Sequence, residues 1–499
     1  MSEGRGLLSR LDDAFNPVVV RELRQAVRGK FVTSVLLMLL VIQLVAIGIY
    51  LMTATDLSQS LESGRNVFMI LHSILMIICL LFVPAYTAFR LGSERSDTNV
   101  DLLFITTITP RAIIWGKLFA AITITILIFS ACMPFMVFTY WLRGIDLPSI
   151  FIMLGFAFLV IVATIQFATF IASIPANRVL KVLMGVLGLC ILPQLLVATL
   201  SGSYALLTFG VGSRLNSWSF WGPASAVILI VLALIGLFFS LSVALITPVS
   251  ANRALAVRLY AVITWFVGGV FSFIIGYIDK SNVAIIVWAI ASVSIFFLGF
   301  FVSSSERQEV GARIVHKIPR NPLLRVPAFL LFSGAAGGIF WCSTMCALTF
   351  LAIGLQRMLS HGVGRDGLKG AMMWVAGLGL YGFCYSMTAV FIRRIFLESR
   401  LRAKFTWLIA VILLIIGSVA PLVAGFLVTG RAPTGGVWLI GNPFAFGNDR
   451  DAAMYLVFSG LWAGLVAALN FGWFAEQIRS FRPLGSSPSK EEEFVRLAL

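Results

Sequence analysis

The sequence predicts an all-α, polytopic transmembrane helical bundle of about 12 spans with both termini in the cytosol. Three observations carry that expectation. First, hydrophobic residues make up 60% of the 499 and charged residues only 12%, with a mean hydropathy of +0.99. A soluble domain has roughly 45–50% apolar and about 25% charged residues, and a fold of this length cannot hide the excess from water. Second, apolar runs recur at about 20 residues, the helical length that crosses about 30 Å of hydrocarbon. Third, the loops between the runs share out Lys and Arg unevenly.

The runs are 31–52, 67–89, 118–140, 150–174, 182–200, 223–246, 259–278, 283–302, 328–354, 370–392, 405–428 and 454–475. The first starts after thirty residues and outruns a signal peptide's apolar region, so it reads as a span. An even number of spans puts both termini on one side. Loops on that side hold 28 of the 37 Lys and Arg and 14 of the 21 acids. Positive residues accumulate in the cytosol, which orients the chain. The net charge of +16 is then mostly a topological signal, and a nucleic-acid partner is not expected.

No Asp, Glu, Lys or Arg falls inside these runs. A charge at mid-membrane costs about 2.5–3.5 kcal/mol on insertion scales, so retained ones usually mark ion or proton pathways. Their absence argues against an ion-coupled secondary transporter. Gln43, His72, Gln166, Gln194 and Asn470 remain as interhelical hydrogen-bonding candidates. Pro84, Pro134, Pro193 and Pro421 fall within runs and should kink them. Gly334/Gly338 and Gly460/Gly464 have the spacing of close helix packing. The six cysteines all lie in apolar stretches and read as small hydrophobes. Cys342 and Cys346 share a helix face but lack the further soft ligands of a four-ligand site, so no metal is expected. No cofactor is expected either. Three histidines, two of them in loops, make no nucleophile–base constellation, so an intramembrane enzyme is not expected.

Two cytosolic elements stand out. Asn16-Pro17 reads as an N-cap with Pro at the first helical position. Val18, Val19, Leu23, Ala26 and Val27 then recur at helical spacing, with Arg21, Arg24 and Arg28 on another face. Such a helix lies in the headgroup plane, as a topogenic anchor or a mechanical elbow. The loop from Arg90 to Lys117 is the richest segment. Thr98 and Asp101 match a capping box and predict a short helix over 98–106. Thr109-Pro110 reads as a second cap that starts the third span. A short capped helix between two spans is a lever that a cytosolic partner can push.

The residues Glu94, Arg95, Asp101, Leu102, Leu103, Thr109, Pro110, Arg111, Gly116, Lys117 and Leu118 resemble the first cytosolic loop of type-2 ATP-binding-cassette (ABC) transporter permeases. Asn16, Pro17, Arg21, Glu22 and Arg24 resemble that family's elbow helix. The resemblance covers roughly residues 15–246. Where the family has Gly-Thr before the Leu pair, this chain has Asp97-Thr98-Asn99. The resemblance implies an exporter subunit in the cytoplasmic membrane, with a longer external segment at 201–222 that re-enters the bilayer. It implies a separate cytosolic ATPase subunit docking near 98–106 and driving alternating exposure of a path between permease halves. The sequence carries no Gly-x-x-x-x-Gly-Lys-Ser/Thr loop of its own, so ATP chemistry is assigned to that partner.

The expected organisation is a tail and elbow at 1–30, a six-span permease-like domain at 31–258, a second six-span domain at 259–475 and a disordered cytosolic tail at 476–499. Ser305-Glu306-Arg307 and Pro319-Arg320 stand where Ser93-Glu94-Arg95 and Pro110-Arg111 stand in the first half. A degenerate duplication explains the echo; coincidence between basic, proline-containing loops is the other explanation. With duplication one chain supplies both halves; without it a homodimer or a second permease subunit does. The alternatives in function are an ion-coupled secondary transporter and a non-transporting membrane scaffold.

Overall fold

The computed structural model describes residues 17–28, 30–53, 62–94, 109–175, 178–208, 215, 217–248, 251–307, 312–359, 365–398, 400–433, 435–447 and 449–483. Among them there is no strand, and 12 helices are long and apolar enough to cross a bilayer. The protein is a multi-pass helical membrane protein. Its chain divides into two compact units, Met1–Thr247 and Pro248–Leu499.

The first unit opens with the amphipathic helix α1 (Pro17–Arg28). The membrane helices α2 (Lys30–Thr53), α3 (Ser63–Glu94), α4 (Pro110–Trp141), α5 (Leu147–Ser173), α6 (Arg178–Thr208) and α7 (Trp218–Ile246) follow. α3 is the most enclosed of them and packs on α2, α4, α5 and α6. Phe68, Leu71, Leu75 and Met76 of α3 are fully buried against Leu39, Met136 and Ile150. Leu37, Val41 and Leu44 of α2 point outward. Lipid tails are as apolar as leucine, so outward aliphatics are stable there and close packing selects the inner face.

The second unit contains α8 (Ala254–Ile278), α9 (Val283–Ser304), the single turn α10 (Ala312–Val315) and the short α11 (Pro322–Leu331). It continues with α12 (Ala335–Leu359), α13 (Arg365–Phe396), α14 (Thr406–Thr429), α15 (Asp449–Leu469) and α16 (Phe471–Ser480). α13 takes the central place, against α9, α12, α14 and α15.

The helices outrun the apolar windows, and that changes the charge reading. Arg90 lies in α3, Lys117 in α4, Arg258 in α8 and Arg393 in α13, each within a few turns of a helix end. The charge-free stretches are therefore the middles of longer helices. Three boundaries differ more. The window 328–354 joins two helices, because α11 stops at Leu331 and α12 starts at Ala335. The window 454–475 crosses the break at Asn470 between α15 and α16. Residues 476–480 belong to α16, whose Trp473 is buried, and Phe481 is buried beyond it; they are not a disordered tail. From 484 onward the tail lies outside the described residues.

Of the segment 201–222 that was expected to re-enter, residues 209–214 and 216 lie outside the described residues. α6 continues to Thr208 and α7 starts at Trp218, where the Trp221 indole donates to the Leu215 carbonyl at 2.7 Å. In the second unit, irregular backbone is inserted between α14 and α15. Short 3-10 turns at Gly436–Leu439 and Ala445–Gly447 fold back along the helices. The Tyr381 hydroxyl donates to the Ile440 carbonyl, and Tyr385 donates to that of Gly441 at 2.6 Å. Gly441 lies against Gly417, midway along α14, so closely that a Cβ on Gly441 would sit 2.3 Å from the Gly417 carbonyl oxygen. Irregular backbone at such depth is tolerated where protein groups satisfy it, and the two tyrosines do so here.

The polar residues of the spans also separate. His72 Nε2 lies 3.3 Å from Ser203 Oγ on α6, and Gln166 reaches Ser242 on α7 at 3.5 Å. Asn470 donates to the Met387 carbonyl at 3.5 Å. Gln194 is exposed, and Gln43 is buried. Of the paired glycines only Gly338 is crowded; Gly334, Gly460 and Gly464 have open space where a Cβ would point.

Candidate functional site

A buried charged cluster in the first unit joins three helices around one carboxylate. It begins with α1, where Glu22 lies one turn after Val19 on the buried face, while Arg21 and Arg24 point outward. Glu22 is only 6% exposed. A carboxylate is retained at such a position only when paired. Its Oε1 accepts from Lys117 Nζ at 3.1 Å, and its Oε2 lies 3.4 Å from Arg90 Nε. Lys117 is 3% exposed.

Arg90 is held from two further sides. Its Nη1 donates to the Tyr86 hydroxyl at 2.7 Å, and its Nη2 donates to Gln25 Oε1 of α1. The Arg90 guanidinium also stands 5.5 Å from the Tyr86 ring centre, one helical turn back. Thr87, Ala120, Ala121 and Ile124 complete a water-sized cleft beside these charges. The small alanines on α4 let α1 and α3 approach.

This cluster ties α1 to the end of α3 and the start of α4, the two helices on either side of residues 95–108. Thr109 then starts α4 as expected: its side chain accepts from the Ala112 N–H at 3.3 Å, with Pro110 at the first helical position. Arg111 is exposed and Gly116 is buried. Glu94 is the last residue of α3. Asn16, Arg95, Thr98, Asp101, Leu102 and Leu103 lie outside the described residues, and so does the expected helix at 98–106.

The second unit has its own carboxylate cluster at Glu306, just past the end of α9. Glu306 Oε1 accepts from Arg258 Nη2 of α8 at 2.5 Å, and Oε2 accepts from the Gly334 N–H at 2.7 Å. Arg258, 3% exposed, also donates from Nη1 to the carbonyls of Leu330 at 2.8 Å and Phe332 at 2.6 Å. Asn252 Oδ1 accepts from the Ser333 N–H and hydroxyl beside it. Gly338 makes room, since a Cβ there would lie 2.4 Å from Arg258 Nη2. The other second-half residues stay outside this cluster. Arg307, Pro319 and Arg320 have no part in it, and the cap-and-proline pair of this loop is Asn321-Pro322.

Sequence reasoning named Glu22, Lys117 and Glu306 but missed Arg90, Tyr86, Gln25, Arg258 and Ser333 as partners. The Tyr86–Arg90 spacing of one helical turn was a visible signal. The cross-helix pairs were not, because no local pattern encodes them. No family model, characterised protein or solved structure matches this chain.

Proposed function

We propose that this protein is the membrane-spanning permease subunit of an ABC-type exporter, moved by a separate ATP-binding subunit that docks on the cytosolic loop 90–117. The observation that carries the reading is the Glu22 cluster. It fastens the elbow-like helix α1 to both helices that flank the docking segment. A push on that segment is thereby delivered to α3, α4 and α1 together, because the buried ion pairs resist separation. In this reading both termini are cytosolic, the membrane is the cytoplasmic one, and ATP hydrolysis belongs to the partner. A homodimer or a second permease subunit completes the path if one chain does not.

The test is co-purification from native membranes followed by ATPase assay in nanodiscs. An ATP-binding subunit should come down with the wild-type chain and have its ATPase activity stimulated. Scrambling residues 98–106 should abolish both while the permease stays folded. Retrieval of no ATPase, or a scrambled loop with full stimulation, would overturn the reading.

A second reading, ion-coupled secondary transport, is favoured by the inserted backbone at 436–447, since such transporters build their sites from interrupted elements. Substrate flux that collapses with the proton gradient while ATP is held constant would select it.

A further inference from the structure

We propose that α11 is an interfacial helix that docks on the surface of an anionic lipid leaflet. The sequence builds it for a boundary. Asn321 caps it, accepting from the Leu323 N–H at 3.1 Å, and Pro322 occupies the first turn. Its last turn is packed inward: Ala328 is buried, and the Phe329 ring meets Phe481 edge-on at 5.4 Å. Its first two turns are not. Leu323 is 82% exposed, Leu324 58% and Val326 64%.

Two observations choose the occupant of that face. The first is continuity with the membrane surface. α11 lies in the segment between two spanning helices, α9 and α12, so it stands at the bilayer boundary. It packs on α8 and α12, whose outer faces expose Leu255, Leu259 and Phe340, and the apolar surface of the spans therefore runs on to α11. The second is charge. Residues 312–331 contain Arg313, Lys317, Arg320 and Arg325 and no acid. Lys317 and Arg320 are exposed. Aliphatics that sink below the headgroups beside cations that meet phosphate are the pattern of a helix bound to anionic lipid. The inner end is anchored through Arg258, which holds the carbonyls of Leu330 and Phe332, so α11 is fixed to the helix core while its outer turns reach the lipid.

The experiment uses the full chain in nanodiscs, in a Cys190→Ser background, with a fluorophore on Leu323→Cys, Val326→Cys or Arg320→Cys. Lipids carrying a spin label near the headgroup should quench the probes at 323 and 326, and aqueous iodide should quench the probe at 320. Replacing part of the phosphatidylcholine by phosphatidylglycerol should raise lipid quenching at 323 by about twofold. The Lys317→Gln/Arg320→Gln double variant should remove that rise. Iodide quenching at 323 and 326 without lipid quenching would overturn the proposal. So would shielding that appears only with a second copy of the chain in the same disc. No transport is read in this assay, so its result is independent of the exporter reading.

Discussion

The Glu22 and Glu306 clusters solve one problem in two ways. At Glu22 a single carboxylate sits between two cations from two other helices, and each of its oxygens takes one of them. At Glu306 a carboxylate and a guanidinium divide their bonds between each other and the backbone: Glu306 holds the Gly334 N–H, and Arg258 holds two carbonyls near the end of α11. The first cluster is a side-chain junction between helices. The second is a pair of helix caps made by side chains distant in sequence. The contrast teaches that a buried ion pair can either fasten existing helices or define where helices stop.

The largest effect should come from Glu22→Ala, which leaves two enclosed cations without their carboxylate. Loss of one partner from a buried pair costs about 3–5 kcal/mol. Glu306→Ala should cost less, about 1.5–3 kcal/mol, because Arg258 keeps its two carbonyl acceptors. Chemical unfolding in detergent measures both, and a Glu306→Ala loss equal to that of Glu22→Ala would erase the distinction between junction and cap.

Gly338→Ala tests the cap from the other side. Its new methyl would meet Arg258 and Ser303, and overpacking of this kind costs about 1–3 kcal/mol. Gly460→Ala, with open space around it, should stay within about 0.5 kcal/mol on the same assay. Equal losses would show that Arg258 is not confined. Next come the local caps. Thr109→Ala and Asn321→Ala should each lose about 1 kcal/mol, with Thr109→Ser and Asn321→Asp restoring most of it. The smallest effect belongs to Arg24→Gln, an exposed cation beside the Glu22 cluster, expected within about 0.5 kcal/mol. A larger loss would extend the junction to the outer face of α1.

Much of the scaffold was legible. Hydropathy counted the membrane helices, and Thr109-Pro110 announced the start of α4 because a cap is a short-range hydrogen bond. The residue Glu22 was legible as a member of an amphipathic helix, yet its place among buried partners was not. Periodicity tells which residues share a face, but not which neighbouring helix that face meets. The break at Phe332–Gly334 shows the same limit. The sequence runs apolar through it, so a hydropathy window joins α11 to α12. Bonds from Arg258 and Glu306 satisfy the carbonyls and N–H that a continuous helix would have used for itself.

By itself, then, the amino-acid order determined that this chain crosses a membrane about 12 times, because burial in lipid depends on the apolar content of each stretch of about 20 residues and on little else. Only the tertiary structure decided where several helices end, which charges are enclosed, and that the backbone at 436–447 turns inward against α14. Those outcomes rest on hydrogen bonds between groups far apart in the chain, whose partners are set by packing and not by local pattern.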